Sequence, residues 1–576
     1  MTIRRRDLLR HGAGAVGALG AAGLLPFWAS SFAHGVQAAP DTLTGTDILL
    51  RAEHGSWAID GRHGHATMLN GTVPGPLIRL REGDDVRLTI DNRLDEDTSV
   101  HWHGLLVPPE FDGVPGVSFP GIRPGERFTY RFPLIQSGTY WYHSHSGLQE
   151  QIGLFGPLII DPKGPDPIAS DREHVILLSD WSFLHPHRLL MKLKQQSGYF
   201  NRQKQTLAGL ASGRDQPAKD RLDWGRMRMD PTDISDVTGS TYTFLVNGHG
   251  PADTWTGLFR PGERVRLRII NAAAMTVFNV RLPGLKVTVV AADGQPVRPV
   301  TVDELQIANA ETYDVIVTPD EDKAYALVAE AVDRSGIARA TLAPRAGMVA
   351  PLPPRRRRPL ATMRDMGMDM GGMSMKEMGD MGGMSMAMRD QRNAPSVPLN
   401  PGVQTIAPMP ADRTGDPGQG LIGLDHKVLA YQDLVALVPN PDARAPSRSM
   451  EIHLTGNMER YMWAFDGKAF SAVTAPIPFR ENERVRVTLV NDTMMTHPIH
   501  LHGHFFELVT GKGDHAPRKH TVAVLPGGKV TFDLTANAVG DWAFHCHMLL
   551  HMHAGMFQVV GVRPDPAPES AGEASA

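Results

Sequence analysis

A single cysteine, Cys546, sits in the stretch Gly540-Asp541-Trp542-Ala543-Phe544-His545-Cys546-His547, and His551 and Met556 follow at steps of five residues. With no second cysteine it cannot close an intramolecular disulfide, which leaves metal ligation as the chemistry its setting offers. The aromatic residues ahead of it predict a strand, along which successive side chains point to opposite faces. His545 and His547 then share one face and Cys546 takes the other. That arrangement can hold metal on both sides, joined through one residue. Cysteine, two histidines and a weak methionine are the ligand set of a type 1, or blue, copper centre.

More histidines fall into the same pattern. His101-Trp102-His103 and His143-Ser144-His145 lie early in the chain, His500-Leu501-His502 and His545-Cys546-His547 late. Each pair is predicted on one face of its strand. Eight imidazoles exceed the needs of one first-row metal and suit a three-copper cluster shared between two domains. Zinc also takes imidazole, but it does not account for the redox set around Cys546.

The elements that must position these pairs recur three times. Arg81-Glu82-Gly83-Asp84-Asp85-Val86-Arg87-Leu88-Thr89-Ile90-Asp91-Asn92 matches a copy ending at Asn271 and another ending at Asn491. Each reads as a turn and then a strand alternating at period two, with Val86, Leu88 and Ile90, Val265, Leu267 and Ile269, and Val485, Val487 and Leu489 facing inward. Three copies, together with 58 Gly and 45 Pro, predict an all-β chain of three related sandwich domains. The His-x-His pairs follow the first and third copies. The middle copy has Val280-Arg281-Leu282 and Val328-Ala329-Glu330 there instead, so the middle domain is expected to be a copper-free spacer.

The segments His101-Trp102-His103-Gly104, His143-Ser144-His145, His497-Pro498-Ile499-His500-Leu501-His502-Gly503 and His545 through Met556 resemble, in order, the four copper motifs of the multicopper oxidases. The resemblance spans the mature chain and implies three cupredoxin-like, Greek-key β-sandwich domains holding four copper ions. Type 1 copper would take His497, Cys546 and His551, with Met556 axial. Type 2 copper would take His101 and His500. The type 3 pair would take His103, His143 and His547 on one ion, and His145, His502 and His545 on the other. Cys546 would accept electrons from a reductant and pass them to the cluster, where dioxygen is reduced to water. Asp112 holds the place of an acid that delivers protons in related enzymes. Some relatives have Glu directly after the second type 1 histidine, where this chain has Met552.

The expected organisation is a twin-arginine export signal over 1–38, opened by Arg4-Arg5-Arg6 and followed by an apolar Ala/Gly-rich stretch. Domains follow at 45–165, 166–345 and 420–565, with a disordered tail at 566–576. Between the second and third lies a Pro/Arg- and Met-rich linker, 346–419. Its run Arg355 to Arg358 reads as solvated. Its methionines, among them Met366, Met368, Met370, Met373 and Met375, are interleaved with glycine and read as soft thioether ligands that prefer Cu(I). Met494 and Met495 are further candidates for a substrate copper site, since relatives that oxidise Cu(I) have a methionine two residues before the His497 position. Signal, Met-rich insert and the segment Met458 to Gly467 resemble a periplasmic copper-resistance branch of the family.

Net charge of −4 argues against nucleic-acid binding, and no stretch beyond the signal could span a bilayer. The expected enzyme is a periplasmic monomer that oxidises Cu(I) to Cu(II) at the expense of dioxygen, with periplasmic copper carriers as partners. Two alternatives stay open: a laccase-like oxidase of phenols or aromatic amines, and a copper-sequestering protein.

Overall fold

The computed structural model describes residues 41–368 and 387–564. The segments expected to be an export signal and a tail, and Met370, Met373 and Met375, lie outside the described residues. No helix among the described residues is long and apolar enough to cross a membrane.

The three repeats found in the sequence occupy equivalent places. Asp85–Asn92, Val265–Asn271 and Arg484–Asn491 each pair in parallel with a long preceding strand and antiparallel with a later one. Their alternating apolar residues are all buried, as a period of two requires of a sheet with one face on a core. The asparagine closing each copy repeats its bonding too. Its Oδ1 accepts from the backbone N–H two residues on, at Leu94, Ala273 and Thr493, and its Nδ2 donates both to a carbonyl of the loop that follows, at Glu96, Thr276 and Met495, and to a distant one, at Ile122, Ile307 and Val524. Each repeat thus ends by fixing the loop that enters the next sheet.

Seven strands and one hairpin bear on the site: β1 (His101–His103), β2 (Gly138–His143), β3 (Phe278–Arg281), β4 (Val287–Ala292), β5 (Gln295–Val302), β6 (Tyr325–Ala331), β7 (His497–Leu501), β8 (Thr521–Val524) and β9 (Gly540–Cys546), with β4 and β5 forming the hairpin. β1 pairs with β2, β3 with β6 and β7 with β9, all antiparallel. In register His101 lies opposite His143 and His500 opposite His545. The middle domain has Val280 opposite Ala329. The fold is therefore all-β, three cupredoxin-like sandwiches of one topology, with histidines on the outer two and apolar residues on the equivalent strands of the middle one. β2 ends at His143 and β9 at Cys546, so His145 lies two residues and His547 one residue past the strands expected to carry them. The turn residues set them instead: His145 N–H donates to Ser99 Oγ and His547 N–H to Pro498 O.

The basic run is solvated only at Arg355 and Arg357, which are exposed, while Arg356 and Arg358 are part-buried. Arg356 makes ion pairs with Glu304 at 2.5 Å and Glu330 at 2.7 Å, both carboxylates fully buried, and Arg358 pairs with Asp215. A charge run reads as exposed because the buried carboxylates that receive it stand elsewhere in sequence. Burial works against the Glu330 carboxylate, and Arg356 and Arg334 outweigh it and hold its pKa below the usual range. Removing one partner of a buried pair leaves the other uncompensated, at a cost of roughly 3 kcal/mol. Arg356→Ala is therefore expected to lower the melting temperature by several degrees. A melt unchanged from the wild type would return the linker to solvent.

Candidate metal centre

Two clusters form, one on each side of Cys546. On its own side, Cys546 Sγ lies 3.6 Å from His497 Nδ1 and 3.9 Å from His551 Nδ1, and the two nitrogens are 3.3 Å apart. Met556 is fully buried, and its carbonyl accepts from Cys546 N–H. The outer nitrogens fix the tautomers. Thr493 Oγ donates to Asn491 Oδ1, so it is free to accept from His497 Nε2–H at 2.8 Å. His551 Nε2–H donates to Asp236 Oδ2 at 2.7 Å, and Tyr461 OH donates to the same oxygen. Trp463 stacks on His551 with centroids 4.0 Å apart. Both Nδ1 lone pairs are left facing the sulfur.

On the other side the four His-x-His pairs converge. His101 packs at a tilt against His502 and His103 stacks on His500, each pair with centroids 3.9 Å apart and one ring from each outer domain. His502 Nε2 lies 3.0 Å from His545 Nε2, and His143 Nε2 lies 3.4 Å from His547 Nε2. His145, His502 and His545 form one compact triad of donor atoms, as do His101, His103 and His143. The predicted histidine and cysteine ligands are brought together, and Met556 shares the buried core with Cys546.

Most of these rings are anchored from behind. His101 Nδ1 donates to Asp112 O and His502 Nδ1 to Asp112 Oδ2, both at 2.8 Å. His500 Nδ1 donates to His520 O and His545 Nδ1 to Cys546 O. His143 Nδ1 donates to Ser144 O and lies 2.8 Å from Glu150 Oε2. The inward nitrogens His101 Nε2, His103 Nδ1, His145 Nε2 and His500 Nε2 are buried with no hydrogen-bond partner. His547 is the exception, with its Nδ1 also bare. Unpartnered buried nitrogens are costly, and a shared metal site is what relieves several at once. The donor chemistry fits copper: imidazoles throughout and one soft sulfur.

Burial first, and then the neighbouring imidazoles, holds His103, His143, His500, His502 and His547 well below the usual histidine range; burial brings His545 to about 4. These rings are neutral, the form that binds metal. Burial pushes the Cys546 thiol up, so its thiolate needs a cation beside it.

Sequence reasoning missed several contributors. Asp236 and Thr493 hold the rings beside Cys546. Glu150 is a buried carboxyl against His143, raised well above its usual range by burial and by Asp180 behind it. No periodicity marks any of them. The methionines sort unevenly. Met366, Met368, Met388, Met458, Met494, Met227 and Met229 pack together around Trp224. Met495 lies instead in the main core with Cys546 and Met556. Beside this cluster opens a cleft of about 360 Å³, lined by Met229, Met458, Met494, Asp230, Asp233, Glu459 and Thr493.

Family models described as multicopper oxidase match residues 51–165, 172–346 and 443–566. The chain is 47% identical to Copper resistance protein A of Escherichia coli, over 94% of this chain and 97% of that protein. It is 33% identical to the multicopper oxidase MmcO of Mycobacterium tuberculosis, over 84% and 81%. Among solved structures, Fet3p, a multicopper oxidase that functions in iron import, shares the fold with a TM-score of 0.62 at 19% identity, over 91% of this chain and 90% of that one. The laccase of Botrytis aclada does so at 0.60 and 22% identity, over 91% and 88%.

The neutral imidazoles set the pH response of the metal-free protein. A histidine that stays neutral when folded but protonates when unfolded favours unfolding below its ordinary value of about 6.5. Stability is therefore expected to fall from about pH 6.5 downward, by about 1.4 kcal/mol per pH unit for each proton taken up on unfolding. His453, which Asp492 raises against the effect of burial, runs the opposite way but is one group. Metal-free melts at pH 7, 6 and 5 read this slope. A melting temperature level across that range would contradict it.

Proposed function

The chain belongs to the multicopper oxidase family, and we propose that it oxidises Cu(I) to Cu(II) with dioxygen as the acceptor, in copper resistance. The ligand assignment we adopt is type 1 copper on His497, Cys546 and His551 with Met556 axial, type 2 on His101 and His500, and the type 3 pair on His103, His143 and His547 and on His145, His502 and His545. Bound there, copper supplies one-electron chemistry beside Cys546 and four-electron reduction of dioxygen to water among the eight imidazoles. The near-full-length likeness to Copper resistance protein A supports the resistance role and, with the export-type N-terminus, a periplasmic setting.

The protein's own residues do the rest. Cys546 stands between His545 and His547 in the chain, so its peptide bonds form the shortest covalent bridge between the two sites. Asp112 orients one ring from each outer domain, which places its carboxyl beside the cluster, where an acid that delivers protons would stand. Met552, packed among apolar side chains, can hold none. Asp236 and Thr493 keep both type 1 imidazoles pointed at the sulfur.

One observation favours Cu(I) over a phenol. His551 and His497 are both fully buried, so no imidazole edge is open to an aromatic ring. The route outward from His497 runs through Thr493 into the methionine cleft. The carboxylates there are largely neutralised: Lys204 pairs with Asp230 and Asp233, and Arg228 with Glu459. What remains for a cation is thioether sulfur, which is soft and selects Cu(I).

Cys546→Ser is expected to abolish the blue absorption and oxidase activity while the eight imidazoles stay loaded; an intense blue band in that variant would refute the type 1 assignment. Met494→Leu and Met458→Leu nearly conserve volume. Oxygen uptake with Cu(I) and with a phenol in parallel should show kcat/KM for Cu(I) falling about tenfold, with phenol oxidation unchanged. Equal rates on Cu(I) with and without the methionines would move the assignment to a laccase-like oxidase.

A further inference from the structure

The middle domain supplies none of the imidazoles, yet the turn of its β4–β5 hairpin reaches the junction of the other two domains. Asp293 and Gly294 at its tip have φ of 48° and 73°, as a two-residue hairpin turn requires. Gly294 faces the first domain. A Cβ there would lie 2.4 Å from the Tyr140 ring, and one on Gly138 would lie 2.4 Å from Gly294 O. The turn is seated directly on β2, the strand that ends at His143.

Asp293 faces the third domain. Its Oδ2 accepts the backbone N–H groups of His520 and Thr521, each at 3.2 Å, and its Oδ1 accepts from Thr312 N–H. Lys519, fully buried, lies 3.1 Å from Asp293 Oδ2 and 3.1 Å from Glu311 Oε1. Burial opposes its charge, and the two carboxylates outweigh it. Three consecutive residues, Lys519, His520 and Thr521, are thus clamped by carboxylates of another domain.

Thr521 carries the clamp to the cluster. Its Oγ lies 3.3 Å from His103 Nε2 and 3.2 Å from His500 Nδ1. His500 Nδ1 has a shorter partner in His520 O at 2.8 Å, on the same clamped segment. For His103 Nε2 the threonine hydroxyl is the one hydrogen-bond partner found among the described residues, while His103 Nδ1 is bare and buried. The hydroxyl therefore fixes which nitrogen of His103 carries hydrogen and how the ring is turned.

We propose that the Asp293-Gly294 turn, acting through Thr521, sets the orientation of His103 and His500, making Asp293 and Thr521 positioning residues for the oxygen-reducing site. This rests on the reading of the eight imidazoles as copper ligands. It gives the ligand-free domain a role in the geometry of a cluster it does not touch.

The test uses fully copper-loaded protein, with the blue absorption as an internal control for the fold. Thr521→Val keeps the shape and the Asp293 clamp but removes the hydroxyl. It should retain the blue band, alter the type 2 electron paramagnetic resonance signal, and weaken retention of cluster copper against a chelator about tenfold. Thr521→Ser should restore wild-type behaviour, and Asp293→Asn should follow Thr521→Val. Wild-type resonance and chelator resistance in Thr521→Val would overturn the proposal. So would loss of the blue band and cluster signals together in Asp293→Asn, which would make the turn a plain domain tie. If the wild type itself lacks a type 2 signal, the ligand reading fails rather than this inference.

Discussion

The structure depends on how imidazoles are kept dry. Taking a ring out of water costs free energy unless both nitrogens find partners. Here most rings divide the task. One nitrogen donates outward to a fixed acceptor: Asp112, Ser144 O, His520 O, Cys546 O, Thr521, Thr493 or Asp236. The other points inward with nothing to bond. The outer bonds therefore determine tautomer and aim, and the inner lone pairs are left to a metal. Copper bound there, as proposed, would complete the fold rather than decorate it, because the ions would relieve the penalty of the bare nitrogens.

Much of this was legible in the sequence, and the division between what was and what was not has a physical origin. Strand alternation is local, so Val86, Leu88 and Ile90 and their counterparts announced the sheets, and His-x-His announced a shared face. The lone cysteine with its spaced His551 and Met556 announced a soft site. What supports those ligands comes from far along the chain. Asp236 is 315 residues from His551, and Thr521 is 418 from His103. A carboxylate or hydroxyl at such a distance carries no local signature. Arg356 fails for a related reason: its charge is visible, while the buried Glu304 and Glu330 that need it are not. Met494 and Met495 differ by one residue, and only the packing separates a cleft wall from a core side chain.

The middle domain shows how a repeat can lose its ligands and keep its influence. Val280 and Ala329 stand where the outer domains have histidines, so that place offers no imidazole. Its loops nevertheless deliver Asp236 to one cluster and Asp293 to the neighbourhood of the other. Ligand strands must hold a fixed sequence, whereas a supporting carboxylate needs only to arrive at the right place. Loops of a third domain, wedged between the two that share the cluster, are well placed to supply it. The burial of Lys519 between Asp293 and Glu311 fits that role. A buried charge set is weak evidence for stability, and fixing a register is its best-attested use; register is what the proposed role of Thr521 needs.

The proposed substrate and its product differ by one charge and in softness, and the cleft is built to respond to softness. With Lys204 and Arg228 offsetting its carboxylates, the cleft offers little extra attraction to a doubly charged ion. Met229, Met458 and Met494 attract the soft ion instead. On the proposed reading, loss of one electron at the His497 end would convert a well-matched guest into a poorly matched one, so a site that captures Cu(I) would also favour release of Cu(II). A carboxylate-lined cleft would do the reverse, holding the product more tightly than the substrate. The ion pairs that mute the acids are therefore as much a part of the proposed specificity as the sulfurs themselves.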